Sequence, residues 1–228
     1  MSLSGFAEKV WKRLWEPAFW ARTLLTLPLL VLYYSSGESE MIAADARRWI
    51  EIGETQGWRC RPHLRGQTLQ LLYLLTDKEL RAFRSVLYYR VGKGALAGRF
   101  TAAILKRIYK GELKLVLEAE SIGPGIYVAH GYCAGIVWGT VVGSDFWMQQ
   151  RVTIGWGASN DSPHIGDRVT IYTGAVVLGG ITIGDDVVIG ANAVVTKDVP
   201  AGVVARGVPA KYYPRTEESL AASRATRP

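Results

Sequence analysis

The residues of this chain best suited to acid–base chemistry are its histidines. There are three, His63, His130 and His164, and the last two lie in a glycine-rich second half. A neutral imidazole accepts a proton at neutral pH, so a positioned histidine can activate a hydroxyl group as a nucleophile. Such a base needs a partner for its other ring nitrogen and a donor for the oxyanion that develops. His63 lies in a region of helical pattern, where we expect a structural role.

The elements that must position His130 and His164 follow a six-residue rhythm. From residue 122 onward an aliphatic residue or Met recurs at every sixth position, with two interruptions. Helices and ordinary strands have periods of 3.6 and 2, so neither explains this pattern. A unit of six is a short strand plus a turn, and three units close a triangular coil that is stable only when stacked. Twelve such anchors predict four coils and a column about 19 Å tall. The anchors are Ile122, Val128, Ile136, Val142, Met148, Ile154, Ile165, Ile171, Val177, Ile183, Ile189 and Val195.

Two insertions interrupt the rhythm and place both histidines on loops. Two extra residues precede Ile136, and His130 stands just before them. Five extra residues, 160–164, precede Ile165 and end at His164. Loops that project from a rigid scaffold carry binding and catalytic residues more often than the scaffold does. We therefore expect both loops to line a cleft.

Composition and charge narrow the class of protein. The net charge is +7 and the pI is near 9.5, but no basic run is longer than two residues and no nucleic-acid motif is present. We expect no nucleic-acid partner; a phosphate-rich cofactor or an anionic membrane face explains the charge equally well. The two cysteines, Cys60 and Cys133, form no C-x-x-C pair, which favours the reducing cytoplasm over secretion.

Residues 1–35 form a distinct N-terminal segment. Trp and Lys/Arg alternate up to Trp15, and an apolar run follows from Ala18 to Tyr34. The run carries Arg22 and is shorter than the roughly 20 apolar residues of a spanning helix. No cleavage site of the signal-peptide type follows. Two interpretations remain: an interfacial helix that contacts a membrane peripherally, or a helix that covers apolar surface in an oligomer.

The rest of the chain divides into three parts. Residues 36–115 are predicted to be helical, 116–213 to form the β-helix domain, and 214–228 to be a flexible tail. Within the helical region we expect helices at 43–54, 78–89 and 100–109 and a linker at 92–94. The run Thr76-Asp77-Lys78-Glu79 has the form of a capping box at the start of the second of these helices.

The repeat resembles that of the hexapeptide-repeat acyltransferases, in particular the serine acetyltransferase branch. The resemblance covers residues 116–213. It rests on the His-containing run 125–137, on Gln150-Arg151-Val152-Thr153-Ile154-Gly155, and on Ser162-Pro163-His164-Ile165-Gly166-Asp167. It also rests on the closing motifs at 190–200 and 207–211, and on the upstream helix motif at 83–90.

This resemblance implies a fold, a reaction and a set of site residues. The fold is mainly β: a left-handed parallel β-helix of hexapeptide repeats preceded by an α-helical N-terminal region. The reaction is O-acetylation with acetyl-CoA as co-substrate, in which His130 is the general base and the acceptor attacks the thioester directly. His164 is an acceptor-site candidate, and no metal is implied. The assembly is a homotrimer or a dimer of trimers, with sites between neighbouring prisms. The residues at CoA-contacting positions are Thr173, Ala191, Thr196, Lys197 and Lys211, and Arg206 stands where a small residue is usual.

Departures from the serine branch leave the acceptor open. The Asp that precedes the histidine there is Ala129 here, and the orienting carboxylate expected one coil earlier falls on Leu115. Glu118, Glu120 or a backbone carbonyl could replace that carboxylate. The acceptor is therefore either serine or a sugar hydroxyl of a glycan or natural product. Two other classes are a zinc hydratase, for which the β-helix lacks a third histidine, and a non-catalytic scaffold. We expect a cytoplasmic protein, with membrane association through residues 1–35 left open.

Overall fold

The computed structural model describes residues 17–55, 67–76, 80–94, 96–158 and 160–216. His63, Cys60 and the Trp-rich start of the chain lie outside these ranges. In the described part of the chain, five helices come first: α1 (Pro17–Ser35), α2 (Ser39–Thr55), α3 (Gln67–Thr76), α4 (Arg81–Lys93) and α5 (Leu96–Ile108). Fifteen short strands follow, of which the first begins at Val116 and the last ends at Pro214.

The strands wind into a triangular parallel β-helix with three sheets, one on each side. Sheet A consists of β1 (Val116–Leu117), β4 (Gly135–Ile136), β7 (Thr153–Gly155), β10 (Val176–Leu178) and β13 (Val194–Val195). Sheet B consists of β2 (Ser121–Ile122), β5 (Val141–Val142), β8 (His164–Ile165) and β11 (Thr182–Ile183). Sheet C consists of β3 (Tyr127–Val128), β6 (Trp147–Met148), β9 (Thr170–Ile171), β12 (Val188–Ile189), β14 (Val203–Arg206) and β15 (Lys211–Pro214). Only β15 runs antiparallel among these paired strands.

The six-residue rhythm is confirmed by burial and by register. All twelve anchors are at most 3% exposed. Successive anchors on one side pair directly, as Ile136 does with Ile154 and Val177 does with Val195. Each aliphatic side chain therefore packs on the next along the axis, and none could be buried by one coil alone.

The expectation of four coils is wrong by about one turn. Strand β1 adds a side before Ile122, and β14 with the isolated bridge at Val199 continues the winding after Val195. Leu117 lies five residues before Ile122 and Ala205 ten after Val195, so neither keeps the interval of six. The positions of Leu117 and Ala205 in the coil are shown only by the pairing of their strands with β4 and β12.

The helical region differs from its prediction at one helix and at one cap. Helices α2, α4 and α5 overlap the three expected helices, although α4 begins at Arg81 and not at 78, and α5 ends at Ile108 and not at 109. Helix α3 was not expected. Thr76 is the last residue of α3, and α4 begins at Arg81 after an N-cap at Leu80 that makes no side-chain cap, so the capping-box prediction is wrong. The expected linker shortens because Gly92 and Lys93 belong to α4. Within the described ranges, no helix has the length and hydropathy needed to cross a membrane.

The helices dock on the first turn of the β-helix through buried polar contacts. Backbone N–H groups of Gly125 and Ile126 donate to the carboxylate of Asp45 in α2, at 2.9 and 3.1 Å. The indole of Trp49 donates to the Ile126 carbonyl at 2.8 Å, and its ring packs on Tyr127. Burial raises the pKa of the Asp45 carboxyl, and hydrogen bonds from Arg90 and the two amides oppose that shift.

Candidate active site

The loop that carries His130 joins sheet C to sheet A between β3 and β4. We call the stacked turns between these two sheets the CA corner. Turns lower in this corner contain one residue each with positive φ: Arg151 (+60°), Gly174 (+71°) and Asn192 (+56°). The His130 turn contains two, His130 (+50°) and Cys133 (+52°). The two inserted residues are thus absorbed by a second left-handed bend, which leaves the side chain of His130 exposed.

The floor beneath His130 is apolar. A Cβ on Gly131 would lie 2.7 Å from Val128 Cγ1 and 3.0 Å from Leu115 Cδ2, so this position has no room for a side chain. Leu115 therefore lies beside the loop, at the position where a carboxylate that orients His130 was expected. Glu118 and Glu120 are exposed at the other edge of sheet A. In the part of the chain that is described, the His130 imidazole forms no side-chain hydrogen bond.

Two of the predicted site residues, Thr173 and Ala191, share the CA corner with His130. Each of His130, Gln150, Thr173 and Ala191 stands two residues after an anchor in sheet C. The Thr173 hydroxyl donates to the Gln150 carbonyl at 3.1 Å, and the Asn192 N–H donates to the Thr173 carbonyl at 2.9 Å. Successive coils are roughly 4.8 Å apart, so Ala191 lies about 14 Å below His130.

Cationic side chains stand at the lower end of this corner. A Cβ on Gly190 would lie 3.2 Å from the Cβ of Arg206, which places Arg206 in the next coil below. Lys211 pairs with Arg206 across β14 and β15, and both side chains are exposed. Arg206 also lies over the ring of Tyr213, 4.1 Å from its centroid. The corner thus runs from an imidazole at the top to two positive charges at the bottom.

The other predicted residues lie at the opposite edge of sheet A. We call the stacked turns from sheet A to sheet B the AB corner. Thr196 and Lys197 form its lowest turn. His164, predicted to be the last residue of the inserted loop, is instead the first residue of β8. The side chains of all three are exposed. The backbone N–H of His164 donates to the Ile181 carbonyl at 2.8 Å. One chain therefore does not bring His130 and His164 together.

The AB corner also carries two tryptophans that the sequence did not single out. Trp138 is 68% exposed and Trp156 is 47% exposed. The Trp156 indole donates to the Trp138 carbonyl at 3.1 Å, and Ser162 in the inserted loop donates to the same carbonyl at 2.9 Å. Trp138 stands two residues after anchor Ile136, where no inward contact needs a large apolar side chain. This outward position in the repeat is the sequence feature that could have identified Trp138 as an exposed residue.

Comparison with known proteins agrees with the repeat and the fold. The family model described as bacterial transferase hexapeptide (six repeats) matches residues 162–197. A Helicobacter pylori serine acetyltransferase is 44% identical over 95 residues, 40% of this chain and 54% of that protein. A serine acetyltransferase of Buchnera aphidicola is 31% identical over 153 residues, 65% of this chain and 58% of that protein. The matched part of the chain thus spans about half the length of the curated relatives.

Solved structures extend the likeness to the helices. A serine acetyltransferase from Neisseria gonorrhoeae has 25% identity and a TM-score of 0.57 over 81% of this chain and 71% of that chain. A serine acetyltransferase in complex with cysteine, at 21% identity, superposes with a TM-score of 0.59 over 88% of this chain and 76% of that chain. These likenesses confirm the predicted fold class, a left-handed parallel β-helix preceded by helices. In its repeat, its fold and these relatives, the chain is similar to the hexapeptide-repeat transferases, and among them to the serine acetyltransferases.

Proposed function

We propose that this protein is an O-acetyltransferase that moves the acetyl group of acetyl-CoA to a hydroxyl, with serine as the first candidate acceptor. The observation that carries the proposal is the CA corner. It stacks an exposed imidazole, small or hydroxyl side chains and two cations along one edge of the β-helix. The serine acetyltransferases among the relatives, one of them solved in complex with CoA, support the same reaction.

Each residue of the CA corner has its own proposed role in the reaction. His130 takes the proton from the acceptor hydroxyl as the oxygen attacks the thioester carbon. The carbon–sulfur bond then breaks, and CoA leaves as a thiol with the proton that His130 returns to its sulfur. Ala191 and the backbone near Thr173 leave room for a pantetheine arm. Arg206 and Lys211 attract the phosphates of the cofactor as positive charges.

A second copy of the chain completes the proposed site. His130, Thr173, Ala191 and Lys211 lie at one edge of sheet A, and His164, Thr196 and Lys197 lie at the other. When threefold symmetry sets the CA corner of one copy against the AB corner of the next, the two sets face each other. We therefore propose a homotrimer, alone or paired with a second trimer. The free and exposed thiol of Cys133 suits the reducing cytoplasm in which we place the protein.

A sugar hydroxyl is the second candidate acceptor. Ala129 and Leu115 stand where the serine branch has carboxylates, so one chain offers little to hold a substrate amine. The exposed rings of Trp138 and Trp156 offer flat apolar surfaces of the kind on which sugar rings stack. The relative WcaB of Escherichia coli, named for colanic acid biosynthesis, is 39% identical over 98 residues, 42% of this chain and 60% of that protein.

An acceptor screen tests the proposal. The purified full chain is incubated with acetyl-CoA, and release of the CoA thiol is followed with L-serine, nucleotide sugars and oligosaccharides in separate reactions. The expected result is acceptor-dependent release with one acceptor class, absent in His130→Ala, whose CoA binding is measured by calorimetry. Thiol release at equal rates in His130→Ala and the native chain would overturn the role given to His130. Failure of every acceptor with CoA bound would point to the non-catalytic scaffold.

A further inference from the structure

The outer face of α5 exposes a continuous apolar stripe. Leu96, Phe100, Ile104 and Ile108 are spaced four residues apart, and each is about two-thirds exposed, from 64% to 66%. A spacing of four places side chains on one face of a helix. The opposite face is already occupied, since Gly98, Ala102 and Leu105 are buried against the helical region. The four side chains of the stripe therefore do not contribute to the packing of α5 within this chain.

The neighbouring helix α1, which packs against α5, exposes a second stripe. Leu24, Leu27, Val31 and Tyr34 follow the 3–4 spacing of one helix face and are 45% to 65% exposed. Large apolar side chains scattered singly on a surface are ordinary, but two stripes on adjacent helices are a patch of the kind that marks an interaction site.

The charged residues of α5 itself are all basic. Arg99 and Lys106 are spaced seven residues apart, so they share one edge of the helix, and both are exposed. Lys110, just beyond the end of α5, is exposed as well. Residues 80–111 contain no Asp or Glu. The basic residues of this segment are Arg81, Arg84, Arg90, Lys93, Arg99, Lys106, Arg107 and Lys110.

We infer that the exposed stripes of α1 and α5 bind the surface of an anionic membrane, with both helices lying in the interface. A helix with an apolar face and a basic edge has the pattern of interfacial membrane binding. Basic residues beside the apolar face are attracted to acidic headgroups. A copy related by a twofold axis fits less well, because that contact sets each patch against itself and brings its like charges together. This inference moves the predicted membrane contact from residues 1–35 alone to a surface built with α5, and it does not depend on the acetyltransferase proposal.

Vesicle sedimentation tests the inference. The full chain is mixed with phosphatidylcholine vesicles that contain no acidic lipid or roughly 30% phosphatidylserine, a composition chosen to give a negative surface. Binding is expected only to the acidic vesicles and should weaken as salt is raised. The double variants Phe100→Ser/Ile104→Ser and Arg99→Glu/Lys106→Glu should each lose roughly tenfold or more in affinity, through the apolar and the charged contribution respectively.

Matched controls separate the patch from general effects. Arg151→Glu changes an exposed charge on the β-helix, and Val208→Ser removes a side chain that is 72% exposed at the far end of the β-helix. Both should bind acidic vesicles like the native chain, and all variants should keep the native melting temperature. The inference fails when the native chain ignores acidic vesicles, or when Phe100→Ser/Ile104→Ser binds them normally. It also fails when that variant instead splits a larger oligomer in solution, which would assign the patch to a second copy.

Discussion

The guanidinium of Arg90 in α4 holds the carboxylate of Asp45 in α2 through two hydrogen bonds, of 2.8 and 3.0 Å, at the top of the β-helix. Both side chains are buried, at 4% and 0% exposure. Arg90 also donates to the carbonyls of Ile122 and Gly123 in the first turn of the β-helix. Pro124 has no N–H, and Asp45 accepts from the next two amides instead. The pair is therefore the polar link that fixes the helices on the turn leading into His130.

Breaking this pair should cost more than removing an exposed contact at the same junction. Asp45→Asn leaves the Arg90 charge buried without its counter-ion, and we expect a loss of about 3–5 kcal/mol in the free energy of unfolding. Lys93→Met is the control, since its ammonium donates to the Glu120 carbonyl at 2.8 Å but is exposed. That variant should lose less than about 1 kcal/mol. Denaturant unfolding followed by circular dichroism measures both, and equal losses would contradict the role given to the pair.

Alkaline pH should weaken the helical region through two tyrosines of α4. Burial raises the pKa of Tyr88 and of Tyr89 to about 12, from an ordinary value of 10. Below pH 10 both phenols are protonated in the folded and the unfolded chain, so pH has no effect through them. Between pH 10 and about 12 the unfolded chain releases protons that the folded chain keeps, so stability falls as pH rises.

Phenylalanine variants test this pH dependence. Tyr88 donates to the Tyr109 carbonyl at 2.7 Å and Tyr89 to the Ala119 carbonyl at 3.2 Å, so each Phe variant loses one hydrogen bond. The variants should start less stable at pH 8 but lose less stability between pH 10 and 12 than the native chain. Parallel curves for native and variant proteins across this range would contradict the raised pKa values.

The sequence predicted the β-helix well because its core obeys a simple rule. Every inward position must be apolar in every coil, so the twelve anchors stand out without any knowledge of pairing. The rule fails at the ends, where Leu117 and Ala205 depart from the interval of six. It also fails for α3, whose run Leu71–Leu75 is apolar all round, so that no helical period is visible in it.

The candidate site was only partly predictable, for a geometric reason. Counting two residues on from each sheet C anchor places His130, Thr173 and Ala191 in one column, and the structure agrees. His130 and His164 lie at opposite edges of sheet A, because each coil of the β-helix has three sides. The sequence motifs around the two histidines do not show this separation. The outward position of Trp138 follows from the repeat, but the hydrogen bonds that its carbonyl accepts from Trp156 and Ser162 depend on how the inserted loop folds.

His130 and His164 should respond differently to removal. His130→Ala removes the proposed base, and kcat should fall by about 10²- to 10⁴-fold while CoA binding persists. His164→Ala should raise KM for the acceptor with less than about a tenfold change in kcat, because its proposed role is binding. Steady-state kinetics with the acceptor found in the screen measure both. A kcat in His130→Ala within tenfold of the native value would exclude it as the base.

Trp138 should distinguish the two acceptor classes. Its ring is more than two-thirds exposed beside the inserted loop, and Trp138→Ala removes the stacking surface while leaving the backbone carbonyl that Trp156 and Ser162 bind. For a sugar acceptor we expect KM to rise up to about tenfold with kcat little changed. For serine we expect no change in KM. Phe100→Ala, an exposed aromatic on α5 remote from the site, is the matched control and should leave both constants unchanged.

A site shared between subunits should allow two inactive variants to rescue each other. His130→Ala removes the base at the CA corner, and Thr196→Trp fills the AB corner with an exposed bulky side chain. A mixed trimer contains interfaces in which an intact CA corner of one subunit meets an intact AB corner of the next. Random mixing in equal amounts makes these about a quarter of all sites, and co-expression should restore activity to about that fraction. His130→Ala mixed with Ala191→Trp is the control, since both changes fall in the CA corner and no interface escapes them. Rescue in both mixtures, or in neither, would contradict a site built from opposite edges of sheet A in two copies of the chain.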